Sequence, residues 1–300
     1  MKNKLYIFVG ISGSGKSTIA HKMWARNPQK TVIVNRDKIR EELFGYSEST
    51  VKEYYQRRDI RSLEKQVTLY QDSIIYNVFS QGKDVIVDAT NLNKKDIQAF
   101  SIWNKEIVVM PTVDSFDVEL CIKRDAERTR SVGEEVIRKQ YNKFRGIIKE
   151  DRFDFNIIDL DNSPSNKPVY IFDIDGTLAH KGDRNPFDET KVLQDTPDNV
   201  VCNLAQVLHN SGMEVLICSG RTEDCLEDTK EWLRIHLGFI PEIRMRKIGD
   251  QRADWIVKTE MWQDICKKKY IMGLIDDRNQ VMYRGRMLGL KVMQVENGMF

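Results

Sequence analysis

Residues 10–17 read Gly-Ile-Ser-Gly-Ser-Gly-Lys-Ser, between the apolar run Leu5–Val9 and a segment of helix-forming composition. That order commits the start of the chain to a buried strand turning tightly into a helix. Glycines at 10, 13 and 15 let the backbone fold its N–H groups inward around an anion. The helix N-terminus adds its dipole at the same point. The expected occupant is the phosphate chain of ATP, held by Gly10, Ser12, Gly13, Ser14, Gly15, Lys16, Ser17 and Thr18. In such a loop the lysine bridges the β- and γ-phosphates and the serine holds Mg²⁺. A chance glycine-rich turn would not bring strand, lysine and serine into one register.

Short apolar runs then alternate with helix-period segments through both halves, the pattern of parallel sheets with crossover helices. The expected fold is α/β in two domains. Strands are expected at Leu5–Val9, Thr31–Val34, Asp84–Val87 and Ile107–Met110, then at Val169–Phe172, Glu214–Cys218, Ile271–Ile275 and Lys291–Val295. Between the second and third, Ile60, Leu63, Val67, Tyr70, Ile74 and Val78 step by threes and fours, which predicts a long helix with one buried face. Residues 159–168 are polar, proline-containing and non-periodic, and read as a linker between domains at 1–158 and 169–300.

The balance of charge limits the partners. A net charge of +2 over 300 residues does not suit a protein that coats duplex DNA, so nucleic-acid contact is expected to be local. The five cysteines form no Cys-x-x-Cys pair and no zinc spacing, as expected of free thiols in a reducing cytoplasm. The opening apolar run is too short for a signal peptide, and no stretch is long enough to span a bilayer. A soluble, cytoplasmic protein is expected.

Three further features surround the phosphate loop. The second strand ends in Val34-Asn-Arg-Asp37, and parallel sheets place ligands beyond their strands' carboxyl ends. Asp37 could therefore accept a hydroxyl proton as the γ-phosphoryl group leaves, or cap the helix that starts with Lys38. The third strand ends in Asp88-Ala-Thr90-Asn91, a polar cluster that could orient substrate, hold Mg²⁺ through water, or close a turn. Arg124 and Arg128, four apart on a helix beginning near Phe116, could neutralise a transferring phosphoryl group or belong to a solvated, ion-paired surface with Asp125 and Glu127.

The second half carries Phe172-Asp173-Ile-Asp175-Gly-Thr177 directly after an apolar strand. This resembles the haloacid dehalogenase superfamily of phosphotransferases. The resemblance implies that Asp173 attacks phosphorus and that Asp175 protonates the leaving oxygen and then activates water. The family's remaining stations follow in order: Ser219 in Leu216-Ile-Cys-Ser-Gly-Arg221, Lys258 (with Arg252 as competitor), and Asp276-Asp277 at a strand end. Mg²⁺ would be held by Asp173, Asp175 and Asp277, because a carboxylate and a phosphate do not approach without a cation and Lys258.

Kinase then phosphatase on one chain resembles the polynucleotide kinase-phosphatases of the T-even phages, over essentially the whole length. The resemblance implies phosphorylation of 5′-hydroxyl ends and removal of 3′-phosphates from single-stranded or nicked RNA or DNA, and leaves open whether 2′,3′-cyclic phosphates are also opened. It places the general base at Asp37, the acceptor's phosphate on Arg40, an acceptor contact at Thr90, lid arginines at Arg124 and Arg128, and phosphatase substrate contacts at Arg184 and Arg221. It further implies an RNA ligase as functional partner and a homotetramer. Ala89 departs from the phage pattern, which has aspartate there, and the segment after Arg221 is shorter. Arg57, Arg58, Arg244, Arg246 and Lys247 could grip a strand or be ordinary surface charge. Two other readings of the whole chain stay open: a small-molecule kinase fused to a metabolite phosphatase, and a non-catalytic, nucleotide-gated RNA-binding scaffold.

Overall fold

The computed structural model describes residues 3–45, 51–129, 131–149, 153, 155, 157–182 and 188–298. They form two compact units that divide between Ile157 and Ile158.

The first unit is a four-stranded sheet of β1 (Lys4–Val9), β2 (Thr31–Asn35), β3 (Asp84–Asp88) and β4 (Glu106–Pro111), in the spatial order β2-β3-β1-β4. Every pairing is parallel. Leu5, Ile7, Val85 and Val87 are wholly buried, as continuous β-branched and aliphatic runs require when helices cover both sheet faces. Those helices are α1 (Lys16–Arg26), α2 (Arg36–Phe44), α3 (Val51–Gln56), α4 (Ile60–Ser80), α5 (Lys94–Ala99), α6 (Val118–Ala126) and α7 (Glu134–Lys149).

The long helix α4 is present, but its buried face runs Leu63, Val67, Gln71, Ile75, Val78 and Phe79, while Tyr70 is exposed. Steps of four carry the stripe through the polar Gln71, whose side-chain oxygen accepts a bond from Arg36 at 3.4 Å. Helix α6 is capped by Asp117, which accepts from the Leu120 N–H at 2.9 Å. It ends at Ala126, so Arg128 lies past its last turn instead of sharing its face with Arg124.

The second unit is a five-stranded, all-parallel sheet of β5 (Lys167–Phe172), β8 (Glu214–Thr222), β9 (Glu242–Arg246), β10 (Lys269–Arg278) and β11 (Val292–Gly298), ordered β11-β10-β5-β8-β9. A two-stranded hairpin of β6 (Ala179–His180) and β7 (Thr196–Pro197) follows β5. Helices α8 (Asn199–Asn210), α9 (Leu226–Leu237), α10 (Asp254–Cys266) and α11 (Asn279–Met287) complete it. Phe172, Ile217, Trp232, Leu233 and Ile275 centre its core.

Much of the stretch read as a linker is packed onto this unit. Asn162 accepts from the Ile271 N–H at 2.7 Å and donates to its carbonyl at 3.0 Å, closing both backbone bonds of a strand-edge residue. Strand β9 has no counterpart among the expected strands, because its sequence alternates charge with aliphatic residues: Glu242, Arg244 and Arg246 flank Ile243 and Met245.

Candidate active sites

The phosphate loop joins β1 to α1 and is braced from below. The Gly10 N–H donates to the Thr90 carbonyl at 3.1 Å, and the Ile11 N–H donates to Ser115 Oγ at 3.2 Å. Thr112, Ser115 and Ser14 hydroxyls bond to one another beneath the loop. At Gly13, φ is 82° and a Cβ would run into the Cys121 backbone, so glycine is required there twice over. Gly15 precedes α1 with no side-chain cap, leaving that helix's first N–H groups facing the loop.

Lys16 Nζ folds onto the Ile11 carbonyl at 2.6 Å. Burial pulls its pKa down to about 8, with Asp88 opposing and Arg128 adding to the fall. Two cations thus repel across a loop of inward N–H groups, an electrostatic setting that an anion relieves. Ser17 and Thr18 are exposed on the first turn of α1. A cleft of about 650 Å³ opens beside them, lined by Gly13, Thr18, Lys22, Val113, Arg124 and Arg128 among others. Both arginines therefore border one space although only Arg124 is helical; it is paired with Asp114 at 2.6 Å. One further contact had no signal in the sequence: Gln140 of α7 accepts from the Ser12 N–H at 2.7 Å.

Asp37 does not cap its helix. Asn35 does, accepting from the N–H groups of Asp37 and Lys38 at 2.9 and 3.1 Å while its amide donates to Asp88 at 2.9 Å. Asp37 is left half-exposed on the first turn of α2, ion-paired with Arg40 at 2.7 Å. Arg40 is buried and gives its fork to Glu64, with both bonds at 2.8 Å. Thr90 is half-buried behind the loop.

In the second unit, Asp173 directly follows β5, and Asp276 and Asp277 close the equivalent end of β10. All three are buried, and one carboxylate oxygen from each lies within 4.8 Å of the others. Lys258 of α10 reaches in with its ammonium 3.0 Å from Asp173, 2.7 Å from Asp276 and 3.2 Å from Asp254. Burial, with Asp276, Asp254 and Asp175 crowding against the pull of Lys258, pushes Asp173 up to about 7. Burial also raises Asp276 to about 6 against Lys258, and Asp277 to about 6 with help from Asp173. Lys258 is held well above its usual value: three carboxylates outweigh the burial that would lower it.

Asp277 Oδ2 is buried without a hydrogen-bond partner. Gly176, at φ 79°, sits where a Cβ would collide with that same oxygen. An orphaned oxygen in a nest of carboxylates that resist ionisation fits a divalent cation of the Mg²⁺ type, an oxygen-seeking ion.

The side-chain carboxylate of Asp175 lies outside this cluster, whose third member is Asp276. Asp175 receives the fork of the buried Arg221 at 2.9 and 2.8 Å, and Arg221 also meets the buried Asp195 at 2.6 Å. Arg221 was expected on substrate, and here it orients a carboxylate. Ser219 is fully buried, with Oγ accepting from the Arg221 N–H at 3.2 Å.

Lys258 and not Arg252 enters the site, since Arg252 is exposed and paired with Asp250 and Glu260. Arg184 lies outside the described residues. The basic groups offered for strand binding are largely neutralised: Arg57 by Asp59, Arg244 by Glu242, Arg246 by Asp254 and Lys247 by Glu223.

The geometry defines a class of molecule: two parallel α/β units in tandem, the first with a phosphate loop and the second with a buried carboxylate–lysine cluster at its strand ends. Residues 5–147 match the family model described as "AAA domain", and residues 167–300 match "Polynucleotide kinase PNKP phosphatase domain". The chain thus joins an AAA P-loop kinase domain to a haloacid dehalogenase-type phosphatase domain of the polynucleotide kinase family.

Over 289 residues it is 27% identical to the "Putative bifunctional polynucleotide kinase/RNA ligase" of Autographa californica nuclear polyhedrosis virus. That match covers 92% of this chain and 40% of the relative, so the chain spans under half the relative's length. Two solved structures also align. "Structure of the Pnkp1/Rnl/Hen1 RNA repair complex" is 28% identical with a TM-score of 0.45, covering 100% of this chain and 97% of that one. "Structure of Pnkp1/Rnl/Hen1 complex" is 27% identical with a TM-score of 0.45, covering 100% and 98%. All five cysteines are free and buried, and among the described residues no helix is long and apolar enough to cross a membrane.

Proposed function

We propose that the chain heals broken nucleic-acid ends, moving the ATP γ-phosphoryl group onto a 5′-hydroxyl at one site and removing a 3′-phosphate at the other. One observation carries this reading: a phosphate loop with an adjacent carboxylate precedes, on the same chain, a phosphatase domain matching the polynucleotide kinase model. Opposed activities on one position would cancel, whereas activities on the two ends of a strand prepare both for sealing. An RNA ligase is accordingly the functional partner, in keeping with the kinase/RNA ligase name of the viral relative. A homotetramer, the finer expectation, is read by light scattering.

In the kinase reaction the bond from the γ-phosphorus to ADP breaks as a bond to the 5′-oxygen forms. Lys16 swings from the Ile11 carbonyl onto the phosphates, and Arg128 and Arg124 neutralise charge from the cleft wall. Asp37, beside the loop, takes the proton of the attacking hydroxyl.

In the phosphatase reaction Asp173 attacks phosphorus, giving an aspartyl-phosphate that water then cleaves. Asp175, released from the Arg221 fork and protonated from solvent, gives that proton to the departing 3′-oxygen, and afterwards takes one back from the attacking water as the Asp173–phosphorus bond breaks. Ser219 and Lys258 hold the phosphoryl oxygens. Asp173, Asp276 and Asp277 would hold the cation, which when bound supplies the positive charge that lets a carboxylate approach a phosphate.

The test is one oligonucleotide carrying a 5′-hydroxyl and a 3′-phosphate, incubated with the chain, Mg²⁺ and ATP and read by mass spectrometry. Gain of a 5′-phosphate and loss of the 3′-phosphate are expected. Phosphorylation of free nucleosides with the oligonucleotide untouched would establish the metabolite enzyme instead.

A further inference from the structure

We propose that Glu64 is a positioning residue of the kinase site, acting through Arg40 on Asp37. The proposal rests on the kinase reading above. It concerns a residue on α4, outside every motif of the sequence.

A guanidinium has five N–H donors in a rigid plane. In Arg40, Nε and one Nη2 hydrogen go to the two oxygens of Glu64 at 2.8 Å each, and an Nη1 hydrogen goes to Asp37 at 2.7 Å. The bidentate bond to Glu64 fixes the plane, so only an edge of the guanidinium is offered to Asp37. These bonds use one hydrogen each of Nη1 and Nη2, and an acceptor phosphate would engage the second hydrogen of each.

Glu64 is itself over-determined. Tyr54 donates its hydroxyl to one oxygen at 2.9 Å and Arg36 donates to the other at 3.0 Å. Burial alone would raise Glu64, but Arg40, with Arg36 and Tyr54, holds it down at about 2. The clamp therefore stays charged throughout the range in which a kinase works.

Removing it has a directional consequence. Arg40 is buried, and a buried guanidinium without its carboxylate seeks the nearest remaining one. That is Asp37. A guanidinium free to turn would close its whole fork on Asp37, taking up the carboxylate oxygens that must meet the 5′-hydroxyl. Glu64 thus keeps Arg40 close enough to orient Asp37 and prevents it from capturing it.

Steady-state kinetics on Glu64→Ala, Glu64→Asp, Arg40→Ala and the Glu64/Arg40 double alanine variant test this, with ATP binding measured by calorimetry. With Glu64→Ala, kcat for 5′-hydroxyl phosphorylation should fall about tenfold or more, as for loss of a charged hydrogen bond. KM for the oligonucleotide should rise while ATP affinity stays within about twofold. Glu64→Asp should recover part of the loss, and the double variant should be no worse than Arg40→Ala alone.

Parallel loss of ATP affinity and turnover, or a double variant falling by the product of the single effects, would show a clamp that merely supports the fold and would overturn the proposal. A wild-type chain that phosphorylates no 5′-hydroxyl overturns both the proposal and the kinase reading. An active wild type with an indifferent Glu64→Ala overturns the proposal alone.

Discussion

Asp277 carries a cost that the resting protein does not recover. Its Oδ2 is buried without a partner, and its pKa is raised to about 6. A carboxyl whose folded pKa lies above its unfolded value binds more protons when folded, so its ionisation destabilises the fold as pH rises through about 4 to 6 and throughout the range above. Asp277→Asn removes that penalty. In metal-free protein at pH 8, the melting temperature of the second unit should rise by roughly 3–6 °C, with little change at pH 4. The same variant should lose the extra stability that Mg²⁺ confers on the wild type, and lose phosphatase activity. No gain at pH 8, or an undiminished response to Mg²⁺, would remove Asp277 from the cation site.

At this scale the sequence was most legible where chemistry needs fixed spacing. Lys16, Asp173, Asp175, Ser219 and Asp277 belong to motifs or to strand ends, and Lys258 joins Asp173 from α10. Asp195, Asp254, Gln140 and Glu64 were not legible. Each reaches its partner from a loop or helix whose position depends on tertiary packing.

At the scale of elements, Asn35 does two things at once. It caps α2 through the N–H groups of Asp37 and Lys38, and it donates to Asp88 at the end of β3. The phosphate-side ends of β2 and β3 are therefore joined through one side chain, and Asp37 is placed by it. Asn35→Ala should cost about 1 kcal/mol of first-unit stability, as loss of a cap does. Kinase turnover should fall by more than that destabilisation explains, because Asp37 and Asp88 both lose a fixed neighbour. Activity preserved after such a stability loss would mean that the cap positions nothing.

The elements themselves were largely readable, since most strands hold a short apolar run such as Val32–Val34 or Val85–Val87. The misplacements have local causes. Gln71 carries the α4 stripe because burial there follows a step of four, not residue type. Arg128 escapes α6 because the helix ends at Ala126, two residues before it. Strand β9 is hidden by its charged alternation.

At the scale of the whole molecule, the account rests on two separate machines. Each unit has its own parallel sheet, its own core and its own site beyond the carboxyl ends of its strands, where such sheets place their ligands. On the function proposed above, Lys16 and Asp37 act in the first unit, and Asp173, Lys258 and Asp277 in the second.

The most direct test puts Lys16→Ala and Asp173→Ala side by side on the oligonucleotide with a 5′-hydroxyl and a 3′-phosphate, both ends read by mass spectrometry. The account predicts that Lys16→Ala removes the 3′-phosphate at the wild-type rate and leaves the 5′-hydroxyl unphosphorylated. Asp173→Ala should do the reverse. If either substitution, in a chain that still melts cooperatively, silences both reactions, the two-machine account is contradicted.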